Sequence, residues 1–378
     1  MMRSPVDIAI VGGGPVGLAL ASMLVARGVD ARTLALLDAK PVDVAGKDPR
    51  SLALSFGSRQ LLAQIHSWPA AVTAITQIHV SRRGSFGRTL IDCSEYKLPA
   101  LGYVCRYGDL VTSLDASLPS GLCVLRPVSV TDKREFDDHV DLQLSDGSVL
   151  TASLVVQAEG GVFGEQVARQ RQHDYEQVAV IATVRASTRP PGRAFERFTA
   201  EGPLAMLPQD EAYSMVWCAR PATAEHLQAL DDDAFLRELQ QAFGQRAGQF
   251  THVGARHTYA LGLNAEPFTS ARTIAIGNAS QTLHPVAGQG LNLGLRDASV
   301  LASILARDRS PASLVSFEAQ RRKDRNTTLR ITDLMARAFA SAPDRSPLQH
   351  LLGLSLGAID LLPPTKRLLA EQMMFGVR

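Results

Sequence analysis

Residues 272–297 read RTIAIGNASQTLHPVAGQGLNLGLRD, and the organisation of the chain follows from them. The stretch opens with an apolar run, Thr273 to Ile276, short and apolar enough for a strand buried in a sheet. Gly277 and Asn278 end that strand. His284-Pro285 then imposes an extended segment, because the residue before a proline avoids the helical region. Gly288 and Gly290 let the backbone approach a flat partner closely, and a helix begins near Asn292 with Leu295, Leu301 and Leu305 available for packing. A glycine-bearing approach to a helix N-terminus stabilises negative charge through free N–H groups and the helix dipole. The plainer alternative is a tight turn that needs glycine for its dihedral angles.

The opposite end of the chain favours the first reading. Asp7 to Val11 reads as a strand, Gly12-Gly13-Gly14-Pro15-Val16-Gly17 as a glycine turn, and Val16 to Arg27 as a helix. Gly12, Gly14 and Gly17 form the GxGxxG pattern in the strand–turn–helix setting it requires. The next strand, Arg32 to Leu37, ends in Asp38, about 20 residues past the third glycine, where an acid meets a ribose hydroxyl. An export signal would need an unbroken apolar run after Arg3, and Asp7 and the Gly12 to Pro15 break interrupt it.

The chain's 378 residues leave room for two domains. An apolar content of 46% with 20% charged residues is that of an ordinary globular protein. A net charge of +2 gives no reason to expect nucleic acid. The nine histidines form no HExxH pair, and Cys93, Cys105, Cys123 and Cys218 form no CxxC, so neither a metal site nor a disulfide framework is expected. A reducing cytoplasm fits this usage. No apolar run is long enough to span a bilayer.

Between the two glycine stretches the pattern changes twice. After Asp38 comes a polar loop carrying Arg50, then a helix capped by Ser55 with Leu61, Leu62 and Ile65 on its apolar side. Residues 75–103 read as short strands, with Ile78, Val80 and Phe86 alternating, and Gly108 to Leu118 as a helix. Leu122 to Pro127, Val140 to Leu144 and Val149 to Val156 read as strands, the last two joined by a Ser145-Asp146-Gly147-Ser148 hairpin. This unit ends at Glu159-Gly160-Gly161, a third glycine-bearing strand end. From Asp174 onward strands predominate, with one helix from Asp231 to Phe243, until the chain re-enters the first domain at Arg272.

The expected fold is α/β: a Rossmann-type nucleotide-binding domain (residues 1–75, 107–172 and 268–340) with an inserted mixed or antiparallel-sheet substrate domain (76–106 and 173–267). A helical segment (341–378) closes the chain. Arg321, Arg322, Lys323 and Arg325 read as a solvated helix face. Leucine-rich Leu348 to Leu362 reads as a helix packed on its own protein. Only one complete dinucleotide fingerprint is present, and the second glycine stretch suits a flat ring with an anionic edge, so the residues point to FAD stretched between two helix N-termini.

These stretches, with Asp48-Pro49-Arg50, resemble the single-component FAD-dependent aromatic hydroxylases, and more narrowly the ubiquinone-biosynthesis hydroxylases, their 2-octaprenyl-6-methoxyphenol branch most of all. YKLPALGYV (96–104), DYEQVAVIA (174–182), AFERFTAEGPLAMLP (194–208) and LQQAFGQRAGQ (239–249) extend the likeness over most of the chain. The resemblance implies that Gly12, Gly14, Pro15, Val16, Gly17 and Asp38 hold the ADP half of FAD and that Arg50 reaches the cofactor. It further implies that Gly277 and Asn278 touch the ribityl-phosphate region, and that Pro285, Gly288, Gly290, Leu291 and Asn292 lie along the flavin ring. Two departures stand out: Asn278 where many relatives outside this subgroup carry aspartate, and Glu159-Gly160 where Asp-Gly is expected.

The implied reaction takes electrons from NADPH or NADH and delivers one atom of molecular oxygen to a polyprenylated phenol. It needs no nucleophilic side chain and no metal, and none is assigned. An apolar channel for the tail would draw on Leu204, Met206, Met215 and Trp217, although ordinary core is the simpler reading of each. The same resemblance raises assembly with other ubiquinone-biosynthesis proteins, and peripheral contact with the inner face of the membrane by an otherwise cytoplasmic protein. Two alternatives differ in class: a flavin-dependent reductase or dehydrogenase of a lipid or quinone, and a non-catalytic member of a biosynthetic assembly.

Overall fold

The computed structural model describes residues 2–84, 87–159, 173–263, 269–281, 283, 288–340 and 362–376. Its first sheet contains β1 (Val6–Val11), β2 (Leu34–Leu37), β8 (Cys123–Leu125), β9 (Val130–Glu135), β10 (Val140–Leu144), β11 (Val149–Gln157) and β18 (Thr273–Ala275). Their order is β8-β2-β1-β11-β10-β9, with β18 beside the C-terminal half of β11, on the edge whose other half β10 takes. The β8, β2, β1, β11 and β18 pairings are parallel, and the β11-β10-β9 pairings antiparallel. Strands buried on both faces need continuous apolar runs, which IAIV in β1 and LALL in β2 supply. The hairpin joining β10 to β11 is fixed by Asp146, whose Oδ1 accepts from the Ser148 N–H at 2.9 Å.

Helix α1 (Pro15–Ala26) is apolar almost all round, and Gly17 to Leu24 are buried. An all-round apolar helix must be covered on several sides. Here the sheet covers one side and α7 (Gln289–Leu305) another, in one core with Leu18, Leu295 and Leu301. Short α2 (Val42–Ala45) leads to a small sheet of β3 (Ser51–Ser55), β7 (Gly102–Arg106) and β4 (Thr73–Ile75). Ser55 caps α3 (Phe56–Gln64), its Oγ accepting from the Ser58 N–H at 3.2 Å. Helix α4 (Tyr107–Ala116) follows β7 directly.

The second large sheet contains β5 (Gln77–Arg82), β6 (Arg88–Asp92), β12 (His173–Ala186), β13 (Arg193–Phe198), β14 (Pro203–Gln209), β15 (Ala212–Ala219), β16 (Phe250–Val253) and β17 (His257–Leu263). It runs β16-β12-β15-β14-β13-β5-β6, with β17 also on β12. All of its pairings are antiparallel except β13 with β5. Helices α5 (Pro221–Ala229) and α6 (Asp232–Phe243) follow β15. Asp231 caps α6 through the Ala234 N–H at 2.7 Å, and Phe235, Leu239 and Phe243 pack on one face of the sheet. The four residues weighed for a tail channel, Leu204, Met206, Met215 and Trp217, all belong to this core. Phe86, 160–172, Pro285 and 348–361 lie outside the described residues.

Helix α8 (Pro311–Ala340) corrects one expectation. Of the basic run, Arg322 and Lys323 are exposed, but Arg321 and Arg325 are buried. Four residues apart, they share a helix face and turn it toward Asp297, which is fully buried on α7. Arg321 Nε donates to Asp297 Oδ1 at 2.7 Å and Arg325 Nη2 lies 3.5 Å from Oδ2. Asp324 adds pairs with Arg321 at 2.7 Å and Arg296 at 2.9 Å, and Glu318 pairs with Arg325 at 2.9 Å. Composition shows the charges; only the packing of α8 on α7 shows that the partners are distant in sequence. The last helix, α9 (Pro363–Phe375), starts at Pro363-Pro364, as proline permits in a first turn, and packs on α3 through Phe375 and Phe56, ring centroids 6.3 Å apart.

Removing Asp297 leaves the three arginines of this cluster facing only Asp324 and Glu318. Asp297→Ala is expected to lower the unfolding free energy by about 3–5 kcal/mol, read from denaturant midpoints. Arg322→Ala, on the exposed face, should stay within about 0.5 kcal/mol of the parent.

Candidate active site

The turn after β1 is built for close approach. Gly12 has φ +113°, and a Cβ there would lie 2.6 Å from the Ala158 carbonyl carbon at the end of β11. Only glycine allows both. Its N–H donates to the Leu37 carbonyl at 2.8 Å, so β1 and β2 end together. Gly14 caps α1 with no side-chain hydrogen bond, and Pro15 has no N–H to lose at the first helical position. The N–H groups of Val16 and Gly17 therefore face the crevice above the sheet. Asp38 lies beside them, its Oδ2 accepting the Gly13 N–H at 2.6 Å and its Oδ1 the Lys40 N–H at 2.7 Å. Glu159, exposed at the end of β11, borders the same turn.

The segment after β18 reaches the same place. Gly277 and Asn278 form a tight turn with Ala279, and a Cβ on Gly277 would lie 3.2 Å from Val16 Cγ2. One on Gly294 of α7 would lie 2.8 Å from the same methyl. Val16 thus fills the gap that two glycines leave, and the N-terminal turns of α1 and α7 are drawn together. Asn278 is exposed at this junction, 3.7 Å from where a Gly290 Cβ would stand. Gly288 caps α7 in the left-handed region, φ +58°, again without a side-chain cap. Leu291 packs partly into the core.

Asn292 works differently from what its place in the motif suggests. Its side chain is buried and fully engaged: Oδ1 accepts from the Ser55 N–H at 2.8 Å and the Ser58 hydroxyl at 2.7 Å, and Nδ2 donates to the carbonyls of Ala53 at 2.9 Å and Gly288 at 2.8 Å. It braces the start of α7 against β3 and α3. Asp297 braces the neighbouring turn, accepting from Gln281 Nε2 at 3.1 Å and the Gly277 N–H at 3.4 Å.

Arg50 is held in a fork by Asp48, with Nη2 to Oδ2 at 2.7 Å, and stacks over Tyr107 at 5.0 Å. Burial opposes its charge, but Asp48 more than compensates and holds the guanidinium above its ordinary pKa. The Tyr107 hydroxyl in turn lies 3.4 Å from where a Gly14 Cβ would stand. Arg50 therefore belongs to the wall of the crevice. Tyr107 and Arg126 were not anticipated. Arg126 pairs with Asp115 at 2.5 Å and donates to the Gly13 carbonyl at 3.2 Å. Neither carries a spacing signal, because each reaches the turn from a different strand end.

The crevice suits an extended dinucleotide. It has uncapped helix N-termini at both ends, an acid beside the first of them, and glycines in both turns that let the backbone segments close up. Gly288→Ala should cost about 1–2 kcal/mol through its left-handed backbone alone, with Ala53 Cβ only 3.0 Å from the added methyl. Flavin fluorescence titration should show weakened FAD binding in that variant. Asn292→Ala should lose roughly 2–4 kcal/mol of stability by unpairing buried backbone groups.

Residues 134–330 match the model of the FAD binding domain family, more than half of the chain. Ubiquinone hydroxylase UbiL of Rhodospirillum rubrum is 34% identical, over 97% of this chain and 89% of that protein. The 3-demethoxyubiquinol 3-hydroxylase of Escherichia coli is 31% identical, over 97% of this chain and 98% of that protein. Among solved structures, p-nitrophenol 4-monooxygenase PnpA from Pseudomonas putida superposes with a TM-score of 0.78 at 17% identity, covering 100% of both chains, a likeness of fold. The chain belongs to the FAD binding domain family and, within it, to the FAD-dependent aromatic-ring hydroxylases of ubiquinone biosynthesis.

Proposed function

We propose that this protein hydroxylates a polyprenylated phenol, with NADPH or NADH as electron donor and molecular oxygen as co-substrate. The observation that carries this reading is the convergence of two uncapped helix N-termini on Val16, from opposite ends of the chain. The α1 turn, with Gly12, Gly14, Pro15, Val16, Gly17 and Asp38, would hold the ADP half of FAD. Arg50, Gly277 and Asn278 would hold the middle, and the backbone of Gly288, Gly290, Leu291 and Asn292 the ring. Bound there, FAD supplies the electron transfer and the activation of oxygen.

The protein's own part is to hold the phenol against the ring and to keep water out. The second large sheet suits that task, since one of its faces covers β3, β4 and β7: Ala194 packs on Ile75 and Val104, and the Ser51 hydroxyl donates to Gln209 Oε1 at 2.6 Å. This supports dividing the chain into an FAD-binding domain (1–75, 107–172 and 268–340) and a substrate domain (76–106 and 173–267), with 341–378 as a C-terminal segment. A tailed phenol resides in the bilayer, so the protein would work at the membrane's inner face, alongside other enzymes of the pathway. Among the described residues no helix is long and apolar enough to cross a membrane, and Leu362 and Leu368 are exposed at α9.

Purified protein should bind FAD and, given a short-chain prenylphenol, consume NADPH and oxygen with formation of the hydroxylated ring. Cells lacking the protein should accumulate an under-hydroxylated quinone precursor. Reduced product without oxygen uptake would instead make it a reductase. Protein that binds no FAD, with an unchanged quinone profile, would make it a non-catalytic member of an assembly.

A further inference from the structure

The second large sheet has two unlike faces. On the α6 side, Phe195, Leu204, Met215 and Trp217 are buried. On the side turned to β3, β4 and β7, direct cross-strand pairing sets Val80, Glu196, Ala205, Val216 and Ile181 in one row across β5, β13, β14, β15 and β12. All five keep some accessible surface. Glu196 stands between Val80 and Ala205 in this row, half-buried and flanked on both sides by apolar side chains.

That carboxyl is incompletely paired. Glu196 Oε1 is buried without a hydrogen-bond partner, a condition that calls for a reason. Burial pushes its pKa up to about 8. Among the described residues His257 and Tyr259 of β17, paired with Ile181 and Ala179, and Arg185 of β12 are ionisable groups on the same face. Cys218, on β15, has a thiol pushed up by burial and then by the charge of Glu196. Arg82 stands at the far end of β5, opposite Phe198. Arg106 of β7 pairs with Asp210 at the sheet's edge. Arg197 points to the other face, donating to the Ala242 carbonyl and the Ser81 hydroxyl.

We propose that Glu196 is a catalytic residue that receives the phenolic hydroxyl of the substrate and takes its proton. This rests on the hydroxylase reading above. The O–H bond breaks with its electron pair left on the phenol oxygen, and the proton becomes bonded to the Glu196 carboxylate. The resulting aryloxide is richer in electrons at its ortho and para carbons, where an oxygen electrophile attacks. The same carboxyl sets specificity: a neutral phenol can hydrogen-bond to it in either protonation state, whereas a ring bearing its own carboxylate is repelled once Glu196 ionises. The preferred substrate is therefore a prenylphenol with no carboxylate on its ring.

The test compares the parent enzyme, Glu196→Gln and Glu196→Asp, each loaded with FAD, on a short-chain 2-prenylphenol and on 3-prenyl-4-hydroxybenzoate. In the parent, hydroxylation should rise with pH through about 8 and favour the phenol. Glu196→Gln should keep its flavin spectrum and bind the phenol, lose about 100-fold or more of its hydroxylation rate, lose the pH-dependent rise and discriminate less against the benzoate. Glu196→Asp should recover part of the rate. Thermal unfolding gives a readout independent of turnover. A carboxyl whose folded pKa exceeds its unfolded value binds more protons when folded, so its contribution declines as pH rises between the two. The melting temperature of Glu196→Gln should therefore gain on the parent between about pH 5 and 8. A parent that hydroxylates the phenol, with a Gln variant of unchanged rate and pH profile, would overturn the role of Glu196 alone. A parent that binds FAD but hydroxylates neither ring would overturn the hydroxylase reading beneath it.

Discussion

The structure depends on how closely α1 and α7 approach each other. Val16 sits where a side chain on Gly277 or Gly294 would collide with it, so the first and last parts of the nucleotide crevice are fixed by van der Waals contact rather than by a flexible linker. Packing of this kind is stiff, because interior side chains interdigitate at crystal-like density. A ligand spanning the two helix ends therefore meets donors already in place, and little binding energy is lost to ordering them.

Charge reinforces that contact where the chain could still slide. Asp297 projects from α7 toward the Gly277 turn on one side and the arginines of α8 on the other. Three cations and three acids balance within this cluster, Arg296, Arg321 and Arg325 against Asp297, Asp324 and Glu318. Such a cluster contributes little net stability over an apolar substitute, but it tolerates only one register. It keeps the Gly277 turn, α7 and α8 aligned, while Asn292 does the same between α7 and β3.

The large sheet shows the opposite economy. Its α6 face is packed as tightly as any core, whereas its other face leaves an apolar wall interrupted by a carboxyl with an unpaired oxygen. The α6 face has its own unpaired polar atoms in Tyr213, Trp217 and His79, but these sit among aromatic rings, whereas Glu196 is an ionisable carboxyl in a row of aliphatic side chains.

The nucleotide-binding half was legible before any coordinates because its signals are local. A strand, a glycine turn, a helix and an acid at fixed spacing are dictated by the backbone's approach to phosphate, and that geometry lies within a few residues of chain. The two glycine stretches and the apolar runs of β1, β2 and α1 belong to this class, as does the hairpin at Asp146-Gly147. Other features were decided only by tertiary structure. The burial of Arg321 and Arg325 follows from an aspartate on another helix. The recruitment of Tyr107 and Arg126 to the Gly13-Gly14 turn, and the side of the sheet on which Glu196 falls, follow from strand register and crossover. A sequence records which residues are charged or apolar, but pairing across the fold determines whether a charge meets water, a partner or an empty space.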